Sequence, residues 1–202
     1  QKKRYNKYSN TAYLLEPNLK EGPGGFRDLQ TLQWVAKKSF GTQSLADLYN
    51  LDIITKKEYL ALLRSERFLS KTRFLLHNIN SKAEERLYFS NQKKLSELFG
   101  YNHELNIGVE KFMQNFYKHI TNIKQLNEIL IKHIENNING SDQTDSHIIF
   151  NDFFVRNNTI RVEDKEIFIN DPGKILKIFL LRNEDNDIFD ISASTLRLIR
   201  EN

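Results

Sequence analysis

The sequence predicts a mainly α-helical fold: an antiparallel helical bundle with a small β-hairpin and short helices at its C-terminal end. Apolar residues recur three and four positions apart through most of residues 26–137, and capping residues and glycines bound these stretches. The short apolar runs that are typical of strands are confined to residues 153–169. Because antiparallel helices with short connections form bundles, the first two thirds of the chain are expected to be one.

Local end signals support each predicted helix. Ser44 and Ser90 are the expected N-caps of two short helices, and Thr55 with Glu58 forms the capping box of a long one. Gly100 is expected to end the second short helix. In chain order, the predicted helices cover residues 26–40, 44–51, 55–80, 90–99 and 105–137.

Arg73 is unusual because it lies on the apolar seam of the long helix. Either its stem covers apolar surface while the guanidinium reaches water, or it is a buried charge that needs a carboxylate partner. Glu110 is the candidate partner in the second case, so Arg73 and Glu110 are the structural ion-pair candidates.

The remainder of the chain changes character at residues 136–146, NNINGSDQTDS, whose composition is typical of a linker. Beyond it, residues 153–162 predict a hairpin, and residues 167–169 are a candidate third strand. Asp171 and Pro172 begin a further helix, and Ser192 caps the last one. The predicted organisation is a helical bundle over 1–137, a linker over 138–147, and a hairpin with helices over 148–202.

A glycine-rich loop directly before the first predicted helix is the most informative stretch. Unpaired amides and the helix dipole at such a position favour an anion, and flanking cations add charge-assisted hydrogen bonds. A purely structural turn explains the same pattern, with Arg27 paired to Glu16 or Glu21. The anion-binding candidates are Lys20, Gly22, Gly24, Gly25, Arg27 and Asp28, of which Asp28 either caps the helix or competes with the anion.

The longer string LEPNLKEGPGGFRDLQTLQW, residues 15–34, closely resembles the segment after the transferase domain in bacterial PII uridylyltransferase/uridylyl-removing enzymes. Phe26 stands where leucine is usual. The related glutamine synthetase adenylyltransferases carry a looser version of the string. The resemblance continues in order through RFLLH at 73–77, ERLYF at 85–89, VEKFM at 109–113 and STLRL at 194–198.

The resemblance implies the helical domain that packs on the transferase domain, followed by the lead-in to the His-Asp hydrolase domain. In that family UMP is transferred from UTP to a tyrosine of the signalling protein PII, with magnesium and in response to glutamine, and is later removed. The resemblance also places the glycine loop beside the transferase cleft, which makes the six anion-binding candidates of the loop the nucleotide-binding candidates.

The residues that carry this chemistry are not predicted in the chain itself. Nucleotidyltransferases hold the triphosphate on a Gly-Ser turn and two magnesium ions on a strand-borne Asp-x-Asp pair. The one Gly-Ser, at Gly140 and Ser141, lies in the linker, and Asp185 with Asp187 lies in an acidic loop. None of the five histidines is followed by Asp. No catalytic and no metal-binding residues are therefore predicted here, and the chain alone is expected to be inactive.

Composition indicates the class of protein and the cellular compartment. The chain has 39% hydrophobic and 28% charged residues, no cysteine, and no apolar run long enough to span a membrane, which is typical of a cytoplasmic protein. Residues 1–140 carry a net charge of +8 and residues 141–202 one of −4, without the aromatic-interleaved basic stripe of nucleic-acid binding. The opening at Gln1 without methionine indicates an internal fragment. The alternative functions are a non-catalytic module that docks a protein partner, and the adenylyltransferase relative.

Overall fold

The computed structural model describes residues 1–8, 11–51, 53–101, 107–138, 147–149, 152–156, 158–184 and 190–201. These fall into two compact units, Gln1–Asn127 and Glu128–Asn202. The boundary lies inside the longest helix. Each unit is mainly helical, and strands occur in the second unit, so the predicted fold class is confirmed.

The helices of the first unit match the predicted spans closely. The predicted helix over residues 55–80 and the predicted helix after the glycine loop are both present. A short helix near the start of the chain is also present and was not predicted. In order they are α1 Lys2–Asn6, α2 Phe26–Phe40, α3 Leu45–Asn50, α4 Lys56–Asn80, α5 Phe89–Leu98 and α6 Ile107–Ile138.

The N-caps show which helix starts could be predicted from residues close in sequence. Ser44 is the N-cap of α3 and Thr55 forms a capping box with Glu58, both as predicted, and Ser44 also forms a capping box with Asp47. Ser90 is not a cap, because α5 begins one residue earlier, at Phe89. The amide of Phe89 instead donates to the carboxylate of Glu16, 3.1 Å away, so this helix start is satisfied by a distant segment.

An aromatic part of the core of the first unit lies between α4 and α6. Ser65 lies opposite His119, whereas Phe68, one turn further along α4, contacts Phe112 and Phe116. The pairing runs in opposite directions along the two helices, so they are antiparallel as predicted. α2, α3 and α5 pack against α4. Burying several aromatic rings here removes about 150–250 Å² of each from water.

The second unit contains the C-terminal end of α6 and a four-stranded sheet in the order β1-β2-β3-β4. The pair β2–β3 is the predicted antiparallel hairpin, with Asn158 in the left-handed conformation at its turn. The short strands β1 and β4 were not predicted. The elements are β1 His147–Ile149, β2 Phe153–Arg156, β3 Thr159–Arg161, α7 Ile167–Asn170, α8 Gly173–Glu184, β4 Asp190–Ile191 and α9 Ala193–Glu201.

The candidate third strand at residues 167–169 is wrong, since these residues form α7. Ile167 and Phe168 are both buried whereas Ile169 is exposed, which is not the alternation of a strand. The amides of Ile169 and Asn170 donate to the carbonyl of Glu166, closing a helical turn. Ser192 caps α9 as predicted, accepting from the amide of Thr195 at 3.2 Å.

The predicted linker overlaps the end of α6, which continues through Ile138. Residues 139–146, with Gly140 and Ser141, lie outside the described residues, as do Asp185 and Asp187. The proposed domain limits at 137/138 and 147/148 therefore stay predictions.

Candidate functional site

The glycine loop begins with a turn built on Asn18. Its side-chain oxygen accepts from the amides of Lys20 at 3.0 Å and Glu21 at 2.7 Å, and its carbonyl accepts from the amide of Gly22 at 3.0 Å. Asn side chains stabilise such turns because they imitate a backbone acceptor. The backbone on both sides of Lys20 is therefore fixed by local hydrogen bonds.

The start of α2 has no amide directed at an external anion. Gly25 is the N-cap, and the amides of Phe26 and Arg27 donate to the carbonyls of Leu19 and Lys20, each at 2.9 Å. The amide of Gly24 donates to the Asp28 carboxylate at 2.6 Å. The expected cradle of unpaired amides is therefore not formed. The physical reason is that internal acceptors occupy the donors at this helix start.

The three glycines are explained by close backbone approach. A Cβ on Gly24, whose φ is +78°, would lie 2.9 Å from the Cα of Ile120 in α6 and closer still to its carbonyl group. A Cβ on Gly22 or Gly25 would lie 2.6 or 2.5 Å from a carbonyl oxygen within the loop. Only glycine fits these positions without a shift of the backbone. The loop packs directly on α6.

Asp28 is the fully buried centre of this arrangement. Besides the Gly24 amide, its carboxylate accepts from the Tyr5 hydroxyl at 2.5 Å and from the Gln1 side-chain amide at 3.3 Å, and it forms an ion pair with Arg4. Four donors satisfy a carboxylate that would otherwise be very costly to bury. The carboxylate accepts from the amide of Gly24, the residue before the N-cap Gly25, so Asp28 satisfies a donor next to the start of α2.

The cations at the loop surface differ in their surroundings. Arg27 pairs with Glu21 at 2.9 Å and also donates to Gln30, so the ion pair of the structural alternative is present. The hydrogen bond from Arg27, with the charges of Arg27, Arg4 and Lys20, lowers the pKa of Glu21 against the opposing effect of desolvation. Lys20 is half-buried and forms no ion pair with any described residue.

A second segment, residues 85–92, holds the start of the loop from outside. The amide of Leu19 donates to the carbonyl of Glu85 at 2.8 Å, and that of Leu87 donates to Pro17 at 2.9 Å. The side chain of Gln92 donates to the carbonyl of Leu15 at 2.7 Å. The ERLYF segment and the glycine loop are thus one structural element.

Arg73 takes its partner from this same segment. Its Nε donates to both carboxylate oxygens of Glu85, at 2.9 and 3.0 Å, and the guanidinium lies over the ring of Phe26 at 5.3 Å. The expected partner Glu110 is exposed at the beginning of α6 and is corrected to Glu85. The error arose because the connection between α4 and α5 turns back along α4, which brings Glu85 to the side chain of Arg73.

Sequence reasoning missed the contribution of α1. Arg4 and Tyr5 lie about two dozen positions before Asp28, and no periodicity connects them to it. One signal was available. Asp28 is the third residue of α2, and a buried carboxylate needs further hydrogen-bond donors when the amides of its own helix start already have acceptors.

The other titratable groups were considered as metal ligands. Within the described ranges, no group of three or more His, Cys, Asp or Glu side chains is arranged to hold a metal ion. His119 accepts or donates a hydrogen bond with Ser65 at 3.0 Å and stacks on Phe68. Burial lowers the pKa of His119, and the charges of Lys118 and Arg64 lower it further. No helix in the described part of the chain is long and apolar enough to cross a membrane.

The family model described as GlnD PII-uridylyltransferase matches residues 1–131, and the model described as Uridylyltransferase GlnD third domain matches residues 153–202. The chain belongs to the GlnD PII-uridylyltransferase family.

Curated relatives agree with this assignment. The chain is 40% identical to a bifunctional uridylyltransferase/uridylyl-removing enzyme of Nitrosococcus oceani over 98% of its length, covering 22% of that protein. It is 40% identical to the enzyme of the same description from Legionella pneumophila, covering 24% of it, and 36% identical to that of Pseudomonas aeruginosa, covering 23%. The chain therefore spans about a quarter of the length of these relatives. No solved structure matches it.

Proposed function

We propose that the chain is the helical part of a bifunctional enzyme that transfers UMP from UTP to a tyrosine of PII and removes it again. The observation that carries the proposal is the match to the family over residues 1–131, supported by relatives whose names state both activities. Because the chain covers about a quarter of these relatives, the strand-borne carboxylates and the His-Asp site belong to parts of the enzyme outside it. Magnesium binds in those parts, glutamine regulates the enzyme, and the protein is cytoplasmic.

The glycine loop contributes side-chain charge to the transfer reaction. Its amides are satisfied internally, so a phosphate oxygen is contacted by Lys20 or Arg27 and not by the backbone. Arg27 is already engaged by Glu21, whereas no described residue pairs with Lys20. Lys20 is therefore the principal phosphate contact, and Arg27 holds the loop while adding charge to the same surface.

Replacing Lys20 by Ala in the full-length enzyme tests this role. A charge that stabilises phosphate or transition state in a partly desolvated site contributes roughly 2–4 kcal/mol. The variant should therefore transfer UMP about tenfold to a thousandfold more slowly, at about 1.4 kcal/mol per decade. UMP removal uses other residues and should change less than twofold.

The matched control is Lys37→Ala, an exposed lysine on α2 whose loss should leave both activities unchanged. Arg27→Ala separates the two roles of that residue. If Arg27 only holds the loop, the melting temperature falls and transfer and removal fall together. Full transfer by a folded Lys20→Ala variant would refute the catalytic contribution of the loop, while an inactive wild type would refute the proposed function itself.

A docking module for a protein partner is the second candidate, and the net charge of +8 over residues 1–140 favours it. The two candidates differ in nucleotide binding by the chain alone. Titrating the 202-residue chain with UTP and magnesium should give measurable binding if Lys20 and its neighbours contact phosphate, and none if the bundle only docks protein. In either case the chain alone, incubated with UTP, magnesium and PII, should leave PII unmodified.

A further inference from the structure

The buried cluster of Asp28, Arg4 and Tyr5 forms the inner side of the glycine loop. The Asp28 carboxylate accepts from the amide of Gly24 at 2.6 Å, one residue before the N-cap of α2, in a region whose backbone amides favour negative charge. Because the carboxylate is completely buried, it cannot reach a nucleotide. Asp28 can therefore affect the reaction only through the conformation of the loop that it holds.

Arg4 extends this cluster to the loop backbone. Its guanidinium pairs with Asp28 and donates to the carbonyl of Glu21 at 2.6 Å, next to Lys20. The guanidinium of Arg4 also donates to the carbonyl of Gly22, the next residue of the loop, at 3.5 Å. The planar fork of an arginine can satisfy several acceptors in one fixed geometry, which a lysine cannot. Arg4 thereby connects α1 to the part of the loop that carries Lys20.

Stability alone does not explain a charged pair at this place. A buried ion pair is often no more stabilising than apolar residues of similar volume, because both charges lose their hydration. What the pair supplies is a fixed geometry, with donors and acceptors matched at each loop position. A displacement of about 1 Å at a catalytic group can lower a rate by about a hundredfold.

We propose that Asp28 and Arg4 are positioning residues for UMP transfer, which act by fixing the loop backbone from which Lys20 projects. This inference rests on the proposed function. It reassigns Asp28 from contacting the nucleotide to orienting the residue that does. It also makes α1 part of the transfer machinery.

The test compares Asp28→Asn, Arg4→Met, Arg4→Lys and the Asp28→Asn/Arg4→Met double variant in the full-length enzyme. Transfer and removal are both measured at a temperature where circular dichroism shows every variant to be folded. Asp28→Asn and Arg4→Met should each lower kcat/KM for transfer by about tenfold to a hundredfold, with removal within twofold of wild type. The double variant should lose little more than either single variant, because both residues act through one network.

The conservative Arg4→Lys variant should recover part of the transfer activity, since it keeps the charge but not the fork. Lys132→Met is the matched control, because it removes the Lys132–Asp190 ion pair of the second unit and should leave the ratio of the two activities unchanged. Full transfer in folded Asp28→Asn, or equal loss of both activities in every variant, overturns the positioning role. Absence of transfer in the wild type refutes the proposed function instead.

Discussion

Replacing Gly24 by Ala should destabilise the first unit more than the same change at any other described glycine of positive φ. The residue has φ +78°, and a Cβ there would overlap the backbone of Ile120 in α6. A left-handed conformation costs a residue with a Cβ about 1–2 kcal/mol. Overpacking against a rigid backbone adds about 1–3 kcal/mol. The expected loss in free energy of unfolding is therefore about 2–5 kcal/mol.

Gly41 provides the matched control. Its φ of +70° is nearly the same, but nothing lies within 4 Å of a Cβ built on it. Gly41→Ala should therefore show the conformational cost alone, about 1–2 kcal/mol. The difference between the two variants measures the packing of the loop on α6, independently of the backbone conformation.

Urea unfolding and thermal melts of the 202-residue chain, followed by circular dichroism, provide the assay. At roughly 2–4 °C per kcal/mol for a chain of this size, Gly24→Ala should melt about 4–20 °C below wild type and Gly41→Ala about 2–8 °C below it. Equal losses for the two variants would refute the close approach of the loop to α6.

Two further changes test the surroundings of the loop. Glu85→Gln should cost about 1–3 kcal/mol of unfolding free energy, because it weakens the charge-assisted hydrogen bonds from Arg73. Glu110→Gln should cost under about 0.5 kcal/mol. If urea unfolding showed the larger loss for Glu110→Gln, the assigned pair would be contradicted. Since burial holds the pKa of His119 below its ordinary value, the unfolded chain binds the proton more readily, so stability should fall as pH drops below about 6.5. His119→Gln should reduce this dependence between pH 7 and 5, and identical pH slopes would disprove the assignment.

The elements that sequence predicted well are those whose signals are local. Ser44 and Thr55 carry their capping partners three residues away, so both helix starts follow from the sequence. Residues 167–169 offered only three apolar positions, too few to distinguish the period of a helix from that of a strand. There the buried core, which takes both Ile167 and Phe168, decided the outcome.

The candidate site was found by its glycines, but its internal chemistry was not. The pattern of amides before a helix favours an anion in general, and only tertiary structure shows that the anion here is Asp28 itself. The cation that pairs with it comes from α1, and the backbone against which Gly24 packs comes from Ile120. Contacts between residues so distant in sequence leave no periodic signal in one chain.

We propose that the loop offers side-chain cations, and not backbone amides, to the nucleotide. A titration of the ¹⁵N-labelled 202-residue chain with UTP and magnesium, followed by amide resonances, tests it most directly. The amides of Gly22, Gly24, Gly25 and Phe26 should keep their positions and their protection from hydrogen exchange, because each already donates within the chain. Saturable shifts of these amides, abolished by neither Lys20→Ala nor Arg27→Ala, would show that the backbone itself binds phosphate and would contradict the account.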